Sequence, residues 1–115
     1  MLAEKIFFVI PSYNDFRKLP ALSQSIKAQG CSCVIVDDGS SLPFPKLSPL
    51  DSIYLLRHKE NLGQGAALQT GFEFALKQGA EVIVSFDADG QHQLEGKFKT
   101  RLQGGSLPQI FFVSQ

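Results

Sequence analysis

A chain of 115 residues is one domain or part of one, with room for a single hydrophobic core and no second domain. Lys and Arg total 11 and Asp and Glu total 11, so the formal charge cancels and nucleic-acid binding by bulk electrostatics is not expected. No cleavable leader and no run of about 20 apolar residues is visible. The expectation is a cytoplasmic, reducing setting, with peripheral attachment to a membrane left open.

Lys5 to Ile10 is a continuous apolar run rich in β-branched and aromatic residues, the pattern of a parallel strand covered on both faces, and Pro11 is expected to stop it. Asp15 then caps a helix reaching about Gln29, with Leu19, Leu22 and Ile26 on one stripe, Pro20 in the first turn and Gly30 as the stop signal. Cys31 and Cys33 stand one residue apart, a spacing that fits neither a redox pair nor half of a zinc cluster. They read as small buried residues leading into a strand.

Cys33 to Val36 makes a second buried strand that ends in Asp37-Asp38-Gly39-Ser40, and residues 41 to 51 hold three prolines and read as an irregular connection. Ile53 to Leu56 is a third strand. After Asn61-Leu62-Gly63-Gln64-Gly65, a helix from about Ala66 to Gln78 presents Leu68, Phe72, Ala75 and Leu76 on one face, Gly79 ends it, and Val82 to Phe86 is a fourth strand. In the tail, the apolar run Ile110 to Val113 is either a further strand or an unpaired apolar end.

This alternation predicts an α/β domain with an open, mostly parallel sheet and helices on both faces. Right-handed crossovers bring the carboxyl ends of parallel strands to one edge. Ser12-Tyr13-Asn14, Asp37-Asp38, Arg57-His58 and Asp87-Ala88-Asp89 all follow strand ends, so four polar clusters are expected on one rim.

Side chains two apart in an extended loop point the same way, so Asp87 and Asp89 can approach one cation, with Gln91 or His92 as a further ligand. Oxygen ligands of this kind suit Mg²⁺ or Mn²⁺. Asp37 and Asp38 either share such chemistry or cap the turn at Gly39-Ser40, and the loop around Gly63 either offers backbone donors to a phosphate or is a plain joint. A dinucleotide fingerprint starting at Gly63 is rejected, because Leu68 stands where Gly or Ala is required and the motif follows the third strand.

Taken in order, Ile10-Pro11-Ser12-Tyr13-Asn14, Val36-Asp37-Asp38-Gly39-Ser40, Asn61-Leu62-Gly63-Gln64-Gly65-Ala66-Ala67 and Phe86-Asp87-Ala88-Asp89-Gly90-Gln91-His92 resemble the family 2 glycosyltransferases of GT-A fold. The likeness is to the polyprenyl-phosphate mannosyl- and glucosyltransferase-like branch. It implies transfer of a sugar from a UDP- or GDP-linked donor to a lipid-phosphate or glycan acceptor. It also implies that Pro11, Tyr13, Asn14, Asp37, Asp38, Gly63 and Asp87 surround the nucleotide sugar, and that Asp87, Asp89 and Gln91 hold Mg²⁺ or Mn²⁺. Asn14 stands where family members often have Glu. Residues 1–93 correspond to the nucleotide-sugar-binding half, residues 94–115 form a tail unlike the family with room for a further helix and strand, and the acceptor site and general base are expected beyond Gln115. The alternative expectation is a truncated nucleotide- and metal-binding half-domain without turnover.

Overall fold

The computed structural model describes residues 5–44, 46–47, 52–86 and 109–113. The elements are β1 (Ile6–Ser12), α1 (Leu19–Ala28), β2 (Ser32–Asp37), β3 (Ile53–Arg57), α2 (Gln64–Lys77), β4 (Val82–Phe86) and β5 (Gln109–Val113). They build a five-stranded sheet in the order β3-β2-β1-β4-β5, and every neighbouring pair is parallel. The expected α/β architecture is therefore present. The run near the C-terminus is a strand on β4, which decides between the two alternatives for it. The helix considered for the rest of the tail lies outside the described residues, as do Asp87, Asp89, Gln91 and His92.

Alternation along the strands sorts the core into two layers. Phe7, Val9, Val34, Val36 and Ile83 pack with Ala67, Leu68, Phe72 and Ala75 of α2. On the opposite face, Ile10, Cys33, Ile35 and Ile53 pack with Leu19 and Ile26 of α1. One helix thus covers each face, which is why the strands read as unbroken apolar runs instead of alternating ones.

Both helices end in the same way. The N–H of Gly30 donates to Lys27 O (2.9 Å) and that of Cys31 to Ile26 O (3.3 Å), while Gly79 donates to Leu76 O and Ala80 to Ala75 O (both 3.0 Å). These are the paired bonds of a Schellman motif, and both glycines carry the positive φ it needs, 81° and 87°. The helix starts depart more from expectation. Asp15 does not cap α1: its carboxylate accepts Arg17 Nε at 2.9 Å and Nη2 at 3.0 Å. The helix begins at Leu19 behind Lys18, with Pro20 in the first turn, where its missing N–H is an orphan in any helix.

Pro11 does not end β1. The β1–β2 register continues through Pro11–Val36 and Ser12–Asp37, whereas the β1–β4 register runs only from Ile6–Val82 to Val9–Ser85. Ser12 O accepts from Asp38 N at 2.8 Å, so Ser12 faces β2. Alternation turns Pro11 toward the β4 side, past the last pair of that ladder. The missing donor removes no sheet hydrogen bond among the described residues.

α2 lies close against the sheet because Gly71 faces it. A Cβ at Gly71 would stand 2.4 Å from Val9 Cγ1 and 3.1 Å from Val36 Cγ2, both on stiff, fully buried β-branched side chains. Gly71→Ala should therefore destabilise the chain by about 1–3 kcal/mol through overpacking, despite the roughly 1 kcal/mol helix-propensity advantage of Ala. Urea unfolding of the two proteins measures this, and an Ala variant of equal or greater stability would contradict it.

Candidate functional site

Where the chain reverses direction across the sheet, between the branch leading from β1 to β3 and the branch beginning with β4, an open parallel sheet leaves a crevice at its carboxyl edge. A cleft of about 390 Å³ occupies this edge. Pro11, Ser12 and Tyr13 line it from the end of β1, Asp38 from the end of β2, and Asn61, Gly63 and Gln64 from the approach to α2. Tyr13 is 51% exposed, and its ring can receive a planar group.

The adjacent carboxylates at the end of β2 serve different networks because neighbouring residues of a strand face opposite sides of the sheet. Asp37 is wholly buried on the α1 side. Its Oδ2 accepts Ser40 N at 2.8 Å and Arg57 Nε at 2.8 Å, and Ser40 Oγ donates to its Oδ1. Arg57 in turn donates through Nη2 to Leu42 O at 2.6 Å and lies 4.2 Å over the ring of Phe44. Asp37 thus caps the turn at Gly39-Ser40 and pins the connection that follows. Metal sharing with Asp38 is set aside, since its oxygens are occupied by protein donors.

Asp38 lies on the α2 side, with its side chain only 5% exposed. Oδ1 receives His58 Nδ1 at 2.7 Å and Leu62 N at 2.9 Å, and Oδ2 receives Gly63 N at 2.7 Å. Its carbonyl accepts Asn61 Nδ2 at 3.2 Å. Burial works against the charged form, but the hydrogen bonds from His58, Leu62 and Gly63 outweigh it and hold the carboxyl below its ordinary value. The loop around Gly63 therefore directs the N–H groups of Leu62 and Gly63 at a carboxylate of the protein itself, not at a phosphate. Gly39 makes this approach possible: a Cβ there would stand 2.3 Å from the backbone carbon of Glu60.

Of the residues singled out in the sequence, Pro11, Tyr13, Asp38 and Gly63 meet around one cleft. Asp37 lies beneath it. Asn14 is turned to the connection after β2, with its N–H donating to Ser40 Oγ at 2.6 Å and its Oδ1 accepting Ser41 N at 3.2 Å. Asp87, Asp89 and Gln91 are outside the described residues. Among the described residues no cluster of three or more His, Cys, Asp or Glu side chains can hold a metal ion. Both cysteines are buried and free, and burial pushes the Cys33 thiol up to about 12, which leaves no reactive thiolate.

Arg57 and His58 were visible in the sequence only as polar residues on the rim; the structure gives them partners. In the β2–β3 register Arg57 lies opposite Asp37, which brings the next residues, His58 and Asp38, side by side. Two acidic residues closing one strand and two basic ones closing its neighbour were the signal for this pairing. Thr70 on α2 completes the group, with Oγ1 at 2.8 Å from His58 Nε2.

Because the folded Asp38 carboxyl titrates below the ordinary value of 3.8, its contribution to stability is complete above that value and is lost as pH falls through the lower, folded one. Denaturant unfolding as a function of pH should show wild-type stability declining on this acid limb, with a smaller decline in Asp38→Asn. At neutral pH the same variant should be less stable by about 1–3 kcal/mol, because its amide cannot accept from all three donors. Parallel acid limbs for the two proteins would contradict the assignment.

Comparison with known proteins agrees with the ordered motifs. Residues 7–100 match the family described as Glycosyl transferase family 2. An uncharacterised protein of Methanocaldococcus jannaschii is 36% identical over 90 residues, which is 77% of this chain and 37% of that protein. The UDP-N-acetylglucosamine–dolichyl-phosphate N-acetylglucosaminyltransferase of Methanococcus voltae is 29% identical over 110 residues, covering 79% of this chain and 44% of the relative. The polyprenol monophosphomannose synthase of Mycolicibacterium smegmatis is 31% identical over 101 residues, covering 80% and 38%. The chain thus spans 37% to 44% of the length of these relatives. No solved structure matches. With a matching segment that takes in four of the five strands, both helices and every residue lining the cleft, the chain belongs to glycosyl transferase family 2.

Proposed function

We propose that this chain supplies the donor-binding part of a metal-dependent glycosyltransferase that moves a sugar from a UDP- or GDP-linked donor to a lipid-phosphate or glycan acceptor. The observation that carries the reading is the cleft at the carboxyl edge, where Pro11, Tyr13, Asp38 and Gly63 come together. Asp38 uses three of about four acceptor positions on protein donors, and the one left is on Oδ2. An acceptor-only group at the cleft wall suits a base with a ring N–H, a feature of uracil and guanine. Tyr13 at the mouth offers its ring face for stacking.

β4 runs parallel to β1 and delivers the chain to the same edge, so Asp87, Asp89 and Gln91, which follow it, are proposed to bind the diphosphate and its metal. Their oxygen donors fit Mg²⁺ or Mn²⁺, and a divalent cation bound there would supply neutralising charge for the leaving diphosphate. In the transfer, an acceptor oxygen forms the new bond to the anomeric carbon, the bond from that carbon to the diphosphate oxygen breaks, and the nucleoside diphosphate departs with the electron pair; a lipid phosphate attacks as its anion, whereas a glycan hydroxyl gives its proton to a general base.

The names of the Methanococcus and Mycolicibacterium relatives refer to dolichyl-phosphate and polyprenol-linked chemistry, which favours a lipid phosphate as acceptor. Among the described residues no helix is long and apolar enough to cross a membrane. Peripheral contact with the membrane is proposed as the way such an acceptor is reached. Residues 1–93 are assigned to donor binding and residues 94–115 to a tail of separate character.

Calorimetric titration with UDP and GDP, each with Mn²⁺, should show saturable binding of one of them. Tyr13→Ala should weaken it by roughly tenfold, on the scale of lost base–aromatic stacking. Chelation of the metal, or Asp87→Asn with Asp89→Asn, should remove the enhancement by Mn²⁺. Incubation with radiolabelled sugar nucleotides and polyprenyl phosphate then separates transfer from binding alone, and binding without transfer would support the half-domain alternative. No binding of either nucleotide would overturn the proposal.

A further inference from the structure

We infer that His58 is a positioning residue for Asp38, held in place by Thr70, and that this relay sets the affinity of the cleft for a nucleotide. The inference rests on the reading of the cleft as a nucleotide site and adds residues that the sequence motifs did not assign. Three separate parts of the chain contribute to it: Asp38 follows β2, His58 follows β3, and Thr70 stands on α2. The His58 side chain is 11% exposed, Nδ1 lies 2.7 Å from Asp38 Oδ1 and Nε2 lies 2.8 Å from Thr70 Oγ1.

The direction of these bonds follows from the partners. A charged carboxylate only accepts, so Nδ1 carries the proton that faces Asp38. The threonine hydroxyl donates to Nε2 when the ring is neutral and accepts from it when the ring is charged, so Thr70 matches either state. His58 N also donates to Asp37 O at 2.9 Å, which fixes the backbone and leaves rotation of the ring as the remaining freedom. Thr70 removes that freedom.

Occupation of Oδ1 by His58 and Leu62 leaves Oδ2 as the oxygen with room for a ligand N–H. A rotated or unpartnered His58 leaves Oδ1 with Leu62 N alone, so one acceptor position of a nearly buried carboxylate is unpaired and only two bonds, both from the same loop, orient it. The ligand acceptor would lose its fixed direction, which weakens binding without unfolding the chain. Conventional packing by His58 and Thr70 would instead change stability and leave the affinity of folded protein unaltered.

The test uses the full 115-residue chain, titrated with UDP and GDP in the presence of Mn²⁺, with melting temperature recorded for each variant. Thr70→Val keeps the shape and removes the hydroxyl, and it should weaken binding about tenfold; Thr70→Ser should restore affinity to within about twofold. His58→Phe should weaken binding by on the order of tenfold or more, and adding Thr70→Val to it should produce no further loss, because Thr70 acts through the ring. Should His58→Phe fail to fold, the Val and Ser variants at Thr70 decide alone. Wild-type affinity in Thr70→Val, or losses in the double variant that simply add, would overturn the relay. A wild-type chain that binds neither nucleotide overturns the reading of the cleft itself, an outcome distinct from wild type and Thr70→Val binding equally well.

Discussion

The carboxylate of Asp38 is the constraint on which the rest of the edge depends. A charge with 5% of its side chain exposed must be surrounded by donors, and these come from His58 after β3 and from the backbone of Leu62 and Gly63 before α2. Meeting that demand fixes the path of the loop, the start of α2 and one wall of the cleft together. The neighbouring Asp37 does the same on the other face, where Arg57 and Ser40 close around it and secure the connection that follows. Two adjacent residues thus organise opposite sides of the sheet, as strand alternation requires. Their proximity in sequence had suggested a shared ligand, yet their oxygens serve separate networks.

Much of the architecture was legible because its physical causes are local. Continuous apolar runs marked strands covered on both faces, and Gly30 and Gly79 marked helix ends that both turn out to be Schellman motifs. Positions were harder to read where a residue has two uses. Asp15 has the chemistry of a helix cap, but Arg17 two residues on offers a charged partner with two donors, and the helix starts at Leu19 instead. The loop before α2 has glycines suited to holding an anion, and the anion held there by its N–H groups is a side chain of the same chain.

The site was partly legible for a similar reason. Strand ends are predictable from pattern, so the convergence of Pro11, Tyr13, Asp38 and Gly63 could be anticipated. The roles of His58 and Thr70 depend on the β2–β3 register and on the rotation of α2 about its axis. Gly71 helps to set that rotation and is itself silent in a hydrophobic pattern, since what matters is the absence of a side chain against Val9. Packing at one helical position and a hydrogen bond one residue earlier are consequently parts of the same fit.

The imino acid at position 11 limits the end of β1 by covalent structure alone. β1 is paired with β2 from Phe7 to Ser12 but, among the described residues, with β4 only from Ile6 to Val9. Since Pro11 has no hydrogen to donate on the β4 side, no shift in conditions can extend the ladder through that donor. Past Val9 the described ladder of β1 is with β2 alone, and Pro11 and Ser12, which line the cleft, are carried to it by that single neighbour.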